Sequence, residues 1–247
     1  MSSFEKAFDI LEAFLKAQKS ELRGTEIARL SGLPVSTVSR MAGLLVKRGY
    51  LKQAGKRGKF SPGIKLFHFR NLIDQNLVIK EVARPYLEEL STTTGETVML
   101  AVFENNKVHY IDEISSKYLL RIMVNPERDT PLYCTGFGKL FLAAMTPQEQ
   151  ENYFRSTKLV KYTRNTITEI DQLKEQFKII LDNNIAFDDE EYGEGIKNIV
   201  SGVKDADSRV VAGIGIIAPS SRLPMQKMKD LTPIIKKYAE AISMELR

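Results

Sequence analysis

Few residues of this chain stand in patterns that could do covalent chemistry. Cys134 is the one cysteine and could act as a nucleophile. A thiolate at neutral pH needs a nearby base or positive charge, and His68 and His109 fall in other elements, so only a helix start could lower its pKa. Gly138-Lys139 suggests a phosphate loop, but that loop needs glycine where Tyr133 stands and Ser or Thr where Leu140 stands. Gly213-Ile214-Gly215-Ile216-Ile217-Ala218 has dinucleotide-binding spacing, yet Pro219 follows at once, so the run reads as a glycine-bearing strand. Asp188-Asp189-Glu190-Glu191 lacks the spacing of a calcium loop and reads as a solvated turn with one inward acid. No cofactor or metal is expected.

Ser36, Thr37 and Arg40 suggest a different chemistry. Lying three and four residues apart, they share one helix face. Hydroxyls there suit phosphate oxygens or base edges, and a guanidinium can fork onto guanine or phosphate. The surroundings are cationic. Residues 1–80 hold 15 Lys/Arg against 6 Asp/Glu, whereas residues 81–247 hold 21 against 25. Between Glu26 and Asp74 there are ten bases and no acid. Like charges so crowded repel one another, and a polyanion turns that repulsion into attraction. A solvated lysine-rich face and an ordinary helix start are the plainer alternatives.

Periodicity supplies the elements that would position these groups. Phe4, Phe8, Leu11 and Leu15, with Ile10 and Phe14 alongside, predict a helix over 4–18 with one apolar face. Thr25 is placed to cap a second, short helix, which Ser31-Gly32-Leu33-Pro34 breaks. A third helix, from 35 or 36 to about 48, buries Val38, Met41, Ala42 and Leu45 and ends at Gly49. Two short helices joined by a glycine turn make a helix-turn-helix, whose second helix enters the major groove. Residues 50–53 and 59–61 read as strands around the basic turn Ala54-Gly55-Lys56-Arg57-Gly58. Such a wing lays its tip along a phosphate backbone or in the minor groove. Pro62 cannot donate to a ladder and is expected to stop the return strand at Ser61. The candidate DNA contacts are Thr25, Ser36, Thr37, Ser39, Arg40, Lys47, Lys56, Arg57 and Lys59.

A helix starting near Ile64 and carrying Leu66, Phe67, Leu72, Ile73, Leu77 and Ile79 links this head to the remainder. Beyond it, helices are expected over 82–91, 138–145, from 147, over 167–180 with Thr168 as cap, and from 224 or 225 to 246. Strands are expected over 98–103, 108–112, 118–124, 200–203 and 210–218. Helices beside an antiparallel sheet make an α+β domain. The expected division is 1–62 winged helix-turn-helix, 63–80 linker helix and 81–247 ligand-binding domain.

Composition fits this division. At 247 residues, 43% hydrophobic and 27% charged, the chain suits one large or two ordinary globular domains, not a collagen-like, disulfide-stapled or disordered class. No run of 18 apolar residues occurs, so no membrane span is expected, and the opening Met1-Ser2-Ser3-Phe4-Glu5-Lys6 lacks a signal-peptide core, so a cytoplasmic location is.

The order of residues resembles the IclR family of bacterial transcriptional regulators. The matching runs are Phe4 to Ala13, Glu26-Ile27-Ala28, Ser31 to Arg40 and Gly49-Tyr50-Leu51. They continue as Ala83 to Leu87 with Thr94 to Val98, Pro131 to Lys139, Asp188 to Glu191 and Pro219 to Arg222, in family order and spacing across the chain. The resemblance implies a GAF-like or PAS-like sheet enclosing a ligand pocket. It also implies dimers or tetramers on a palindromic operator in double-stranded DNA, and a repressor of a catabolic operon. Carried over by position, the pocket lining is Leu119, Ile122, Thr130, Gly136, Phe137, Asp188, Asn198, Gly215 and Ile217. Asn198 stands where the family often has Cys, and Gly215 and Ile217 where it often has Ser. With Phe137 adding an aromatic wall, these departures suggest a small organic acid, such as a sugar acid or aromatic acid, rather than a two- or three-carbon keto acid. The rivals are an enzyme with a DNA-binding head using Cys134 or Asp188, and a metal sensor using His109 and acids.

Overall fold

A computed structural model describes residues 2–17, 19–55, 58–70, 75–125 and 130–246. The chain divides into two units, 1–74 and 75–247.

The first unit holds helices α1 (Ser3–Ala17), α2 (Gly24–Ser31), α3 (Val35–Lys47) and α4 (Ile64–Arg70), with strands β1 (Leu51–Gln53) and β2 (Phe60–Pro62). α1 buries Ile10, Ala13 and Phe14 against α2 and α3. The expected face of Phe4, Phe8 and Leu15 is exposed instead, at 79%, 62% and 76%. The helix is apolar over a wide arc, and the small Ala13 marks the side where neighbouring helices approach closely. Thr25 is not the cap of α2. That helix begins one residue earlier, and Glu26 reaches back to accept the Arg23 amide at 2.8 Å. Gly32 makes the turn in the left-handed region, at φ 69°. The return strand does not stop at Ser61, because Pro62 pairs with Leu51. The cross-strand bonds run from Gly63 N to Tyr50 O and from Ala54 N to Lys59 O, so the Pro62 position asks for no amide toward its partner. Leu22 adds a one-residue bridge to Phe60.

The second unit is a sheet between two helical layers. Its strands β3 (Thr97–Glu104), β4 (Lys107–Ile114), β5 (Ile185–Asp189), β6 (Ile196–Lys204) and β7 (Val210–Pro219) run in the order β4-β3-β7-β6-β5, antiparallel throughout. Its helices are α5 (Gln75–Thr94), α6 (Gly136–Ala144), α7 (Pro147–Ser156), α8 (Ile170–Asn183) and α9 (Met225–Glu245). Alternation along the strands sends Val98, Leu100, Ile214 and Ile216 to the face covered by α5 and α9. Met99, Ala101, Val200 and Ile217 go to the face covered by α6 and α8. The β3–β4 turn places Asn105 and Asn106 at φ 51° and 61°, as a two-residue hairpin requires.

Leu77 and Ile79, expected in a linker helix separate from the one over 82–91, share the single helix α5 with it, because no glycine or proline lies between Ile79 and Val82; Leu72 and Ile73 lie outside the described residues. Four more expectations fail here. Residues 118–124 form no strand, because β4 ends at Ile114 and Ser116 then binds Gly95 O at 2.7 Å and Thr97 Oγ1 at 3.1 Å, turning the chain off the sheet. α8 starts at Ile170, not 167, because the Thr163 and Thr166 hydroxyls are committed to the carbonyls of Glu190 and Glu191, each at 2.6 Å. α6 starts at Gly136, so both of its glycines lie in the first turn. Asp188 and Asp189 belong to the unforeseen strand β5 rather than to a turn.

Candidate nucleic-acid interface and effector site

In the first unit, α3 buries Val38, Met41 and Ala42 and turns Ser36, Ser39, Arg40 and Lys47 outward. Thr37 is half-buried and Thr25 is exposed on α2. Lys59, exposed at the wing base, pairs with Glu21 at 3.3 Å. Lys56 and Arg57 lie outside the described residues. Among the described residues, no ion pair or hydrogen bond engages the side chains of Arg40 or Lys47. The α3 surface therefore offers uncommitted donors and cations, which is what phosphates and base edges require.

In the second unit, strand register sets a lateral row of Asp188, Asn198, Ile217 and Thr97 across β5, β6, β7 and β3. The first turn of α6 lies over this row. A Cβ on Gly136 would come within 1.8 Å of Asn198 Oδ1, and one on Gly215 would meet Ile199 O at 2.7 Å and the Phe137 ring at 3.2 Å. Glycine at both positions thus lets helix and sheet close on each other. Thr135 caps α6 by accepting from Gly138 N at 3.1 Å. The amides of Gly136 and Phe137 have no partner within the helix, and its positive end favours an anion.

The polar groups below this helix end are almost wholly buried. Asp188 accepts from Glu191 N at 2.9 Å and from Asn198 Nδ2 at 3.1 Å. Burial pushes its carboxyl up to about 7, with the Glu191 charge adding to the rise and the Glu191 amide opposing it. Lys139, 1% exposed, pairs with Glu191 and donates to Gln176 Oε1 at 3.1 Å. Two buried oxygens, Asn198 Oδ1 and Glu191 Oε2, have no hydrogen-bond partner among the described residues. Tyr110 stands edge-on to Phe137 at 5.4 Å, its hydroxyl pushed up to about 12 by burial. Burial likewise raises the Cys134 thiol to about 12.

Of the nine residues carried over for the pocket, Gly136, Phe137, Asp188, Asn198, Gly215 and Ile217 converge. Ile122 packs at the edge of the same core, and Thr130 is half-buried. Leu119 does not line the site, since it is fully exposed on the segment that leaves the sheet. Sequence reasoning missed Tyr110, Lys139 and Glu191. A lysine inside the apolar run 132–145 was the available signal, because a buried lysine needs an acid. The acidic run turns two acids inward, Asp188 and Glu191, not one.

Residues 73–244 match the family described as bacterial transcriptional regulator IclR C-terminal, and residues 3–55 match the IclR helix-turn-helix domain. The chain is similar to the HTH-type transcriptional regulator KdgR of Escherichia coli K12, 29% identical over 100% of this chain and 93% of that protein. It is also similar to the acetate operon repressor of Salmonella typhimurium LT2, 25% identical over 99% of this chain and 89% of that protein. An IclR homolog from Microbacterium hydrocarbonoxydans, solved in complex with 4-hydroxybenzoate, shares the fold at a TM-score of 0.63 and 22% identity, covering 100% of this chain and 99% of that one. With a reading helix in one unit and a buried polar site in the other, the chain belongs to the IclR family, and it is a ligand-responsive, DNA-binding transcriptional regulator.

Proposed function

We propose that the chain represses a catabolic operon and is released from its operator by a small organic acid bearing hydroxyl groups. The observation that carries this reading is the pair of unpartnered buried acceptors, Asn198 Oδ1 and Glu191 Oε2, near the positive end of α6. A carboxylate suits the helix end. Hydroxyl donors would satisfy the two oxygens, whose burial without a partner costs about 1–3 kcal/mol each. A sugar acid or a hydroxylated aromatic acid has both features, and the 4-hydroxybenzoate of the Microbacterium homolog is of this kind. Ile217 and Phe137 supply the apolar walls.

Regulation rather than catalysis fits the buried Cys134 thiol, which its surroundings hold neutral and so poorly nucleophilic. One winged head contacts too few bases for genomic specificity, so a homodimer or tetramer on a palindromic operator is the working form, in the cytoplasm with its DNA. Ser36, Ser39, Arg40 and Lys47 are the contacts on α3, with Thr25 on α2, Thr37 beside them, and Lys56, Arg57 and Lys59 in the wing. The acid acts by preferring one arrangement of the heads over another.

The test is titration of the full chain, bound to its footprinted operator, with galacturonate, gluconate, 4-hydroxybenzoate, pyruvate and glyoxylate. A hydroxylated acid should raise the unfolding temperature and release the DNA, and Asn198→Ala should lose both effects. Tight binding of pyruvate or glyoxylate, response to metal cations alone, or conversion of the acid to product would overturn the reading.

A further inference from the structure

The C-terminal end of α6 opens into a different cavity. Ala144 and Met145 line a cleft of about 680 Å³ that also meets α7 and the end of β3. That volume is in the range of small-molecule sites. None of the residues carried over for the effector pocket lines it.

Its chemistry is the reverse of the effector site's. Glu104 and Glu149 line the cleft, and among the described residues no Lys, Arg or His does. A helix C-terminus carries partial negative charge, and α6 has no base in its last turn to offset it. Of the bases next in sequence to the lining, Lys80 pairs with Asp112 at 3.8 Å, Arg155 with Glu151 at 3.5 Å and Arg209 with Asp207 at 2.7 Å, while Lys158 is exposed beside Thr157 and is not part of the lining. Lys107 stands opposite Glu104 in the hairpin register, and Asn76 donates to Glu104 Oε1 at 2.7 Å, whereas among the described residues no ion pair engages Glu149, and the helix end meets only the neutral Gln150 amide, 2.8 Å from Leu142 O. The Thr146 amide and hydroxyl hold the Glu149 carboxyl below its ordinary value, which favours the charged form. The remaining walls are aromatic. Phe103 and Phe141 stack at 5.5 Å, and Tyr153 joins them. Carboxylates, carbonyls and π-faces without a competing cation attract a positive charge carried on an apolar body.

We propose that this cleft is a second ligand site, taking a small organic ammonium ion with an aromatic or aliphatic body. The proposal is independent of the acid effector. The probe is 2-phenylethylammonium, titrated calorimetrically into the full-length protein, with 2-phenylethanol and phenylacetate as neutral and anionic controls. Saturable binding is expected, roughly ten-fold tighter than for the alcohol and absent for the acid. Glu149→Gln, which removes the charge the argument rests on and keeps a side-chain oxygen for the Thr146 cap, should weaken the ammonium several-fold. Ala144→Trp, which fills the cleft from an exposed position, should abolish it, and Ser156→Trp on α7 provides a second filling variant. Asp188→Asn should leave this binding unchanged, which separates the cleft from the effector site. No saturation at millimolar probe, equal affinity for the three compounds, or binding that survives both tryptophan variants would overturn the proposal.

Discussion

Asp188→Asn should change the pH dependence of folding, and its size follows from the buried row. The Asp188 carboxyl is pushed up to about 7 in the folded chain, against about 3.9 when unfolded. A carboxyl whose folded pKa is raised binds its proton more tightly in the folded state. Its contribution to stability is therefore complete at low pH and is lost as pH rises toward and through about 7. Between about pH 5 and about pH 8 the loss integrates to roughly 2–3 kcal/mol. Asp188 is 3% exposed, so solvent screens little of this. Asparagine keeps the shape and one acceptor and has no charge to bury. Urea unfolding of wild type and variant, followed by far-UV circular dichroism across that range, gives two stability curves. Their difference cancels every other titrating group. Wild type should lose about 2–3 kcal/mol relative to Asp188→Asn on going from acid to alkaline. Parallel curves would show that Asp188 remains ionised throughout and that the burial argument is wrong.

Lys139→Met should cost about 3–5 kcal/mol by stranding the buried Glu191 carboxylate, while Lys139→Met/Glu191→Met recovers most of the loss; thermal unfolding measures both, and equal losses would refute the pairing. Gly136→Ala should cost about 1–3 kcal/mol, because its methyl lands on Asn198 Oδ1, and should abolish the acid response while operator binding by gel shift survives. Arg40→Ala should weaken operator binding by about 1–3 kcal/mol and random DNA by less; equal losses would assign Arg40 to phosphate alone. Lys56→Ala/Arg57→Ala should weaken binding on every sequence and flatten the salt dependence of the binding constant by up to about 2 units.

The head was legible because its signals are local. The α3 stripe of Val38, Met41 and Ala42, the Gly32 turn and the Gly49 stop each depend on residues within one turn of helix, and tertiary packing agrees with all of them. α1 was legible as a helix but not in its orientation. Its apolar arc is wide, and only the approach of α2 and α3 chose Ile10, Ala13 and Phe14 over Phe4, Phe8 and Leu15. Neither Thr25 nor Thr168 is a cap: at α2 the Glu26 carboxylate takes the Arg23 amide, and α8 begins after Glu169 with no side-chain cap.

Composition and spacing alone determined that a cationic reading head precedes an α+β domain, since charge asymmetry and helical periodicity are properties of order along the chain. The effector site needed tertiary structure. Asp188, Asn198, Ile217 and Thr97 come from four strands, and only antiparallel register brings them into one row. That Lys139 lies buried on Glu191, with two oxygens left without donors, follows from how closely α6 settles on the sheet. Charge and hydrogen-bond demand inside a protein depend on distances between segments far apart in the chain, and those distances exist only once it has folded.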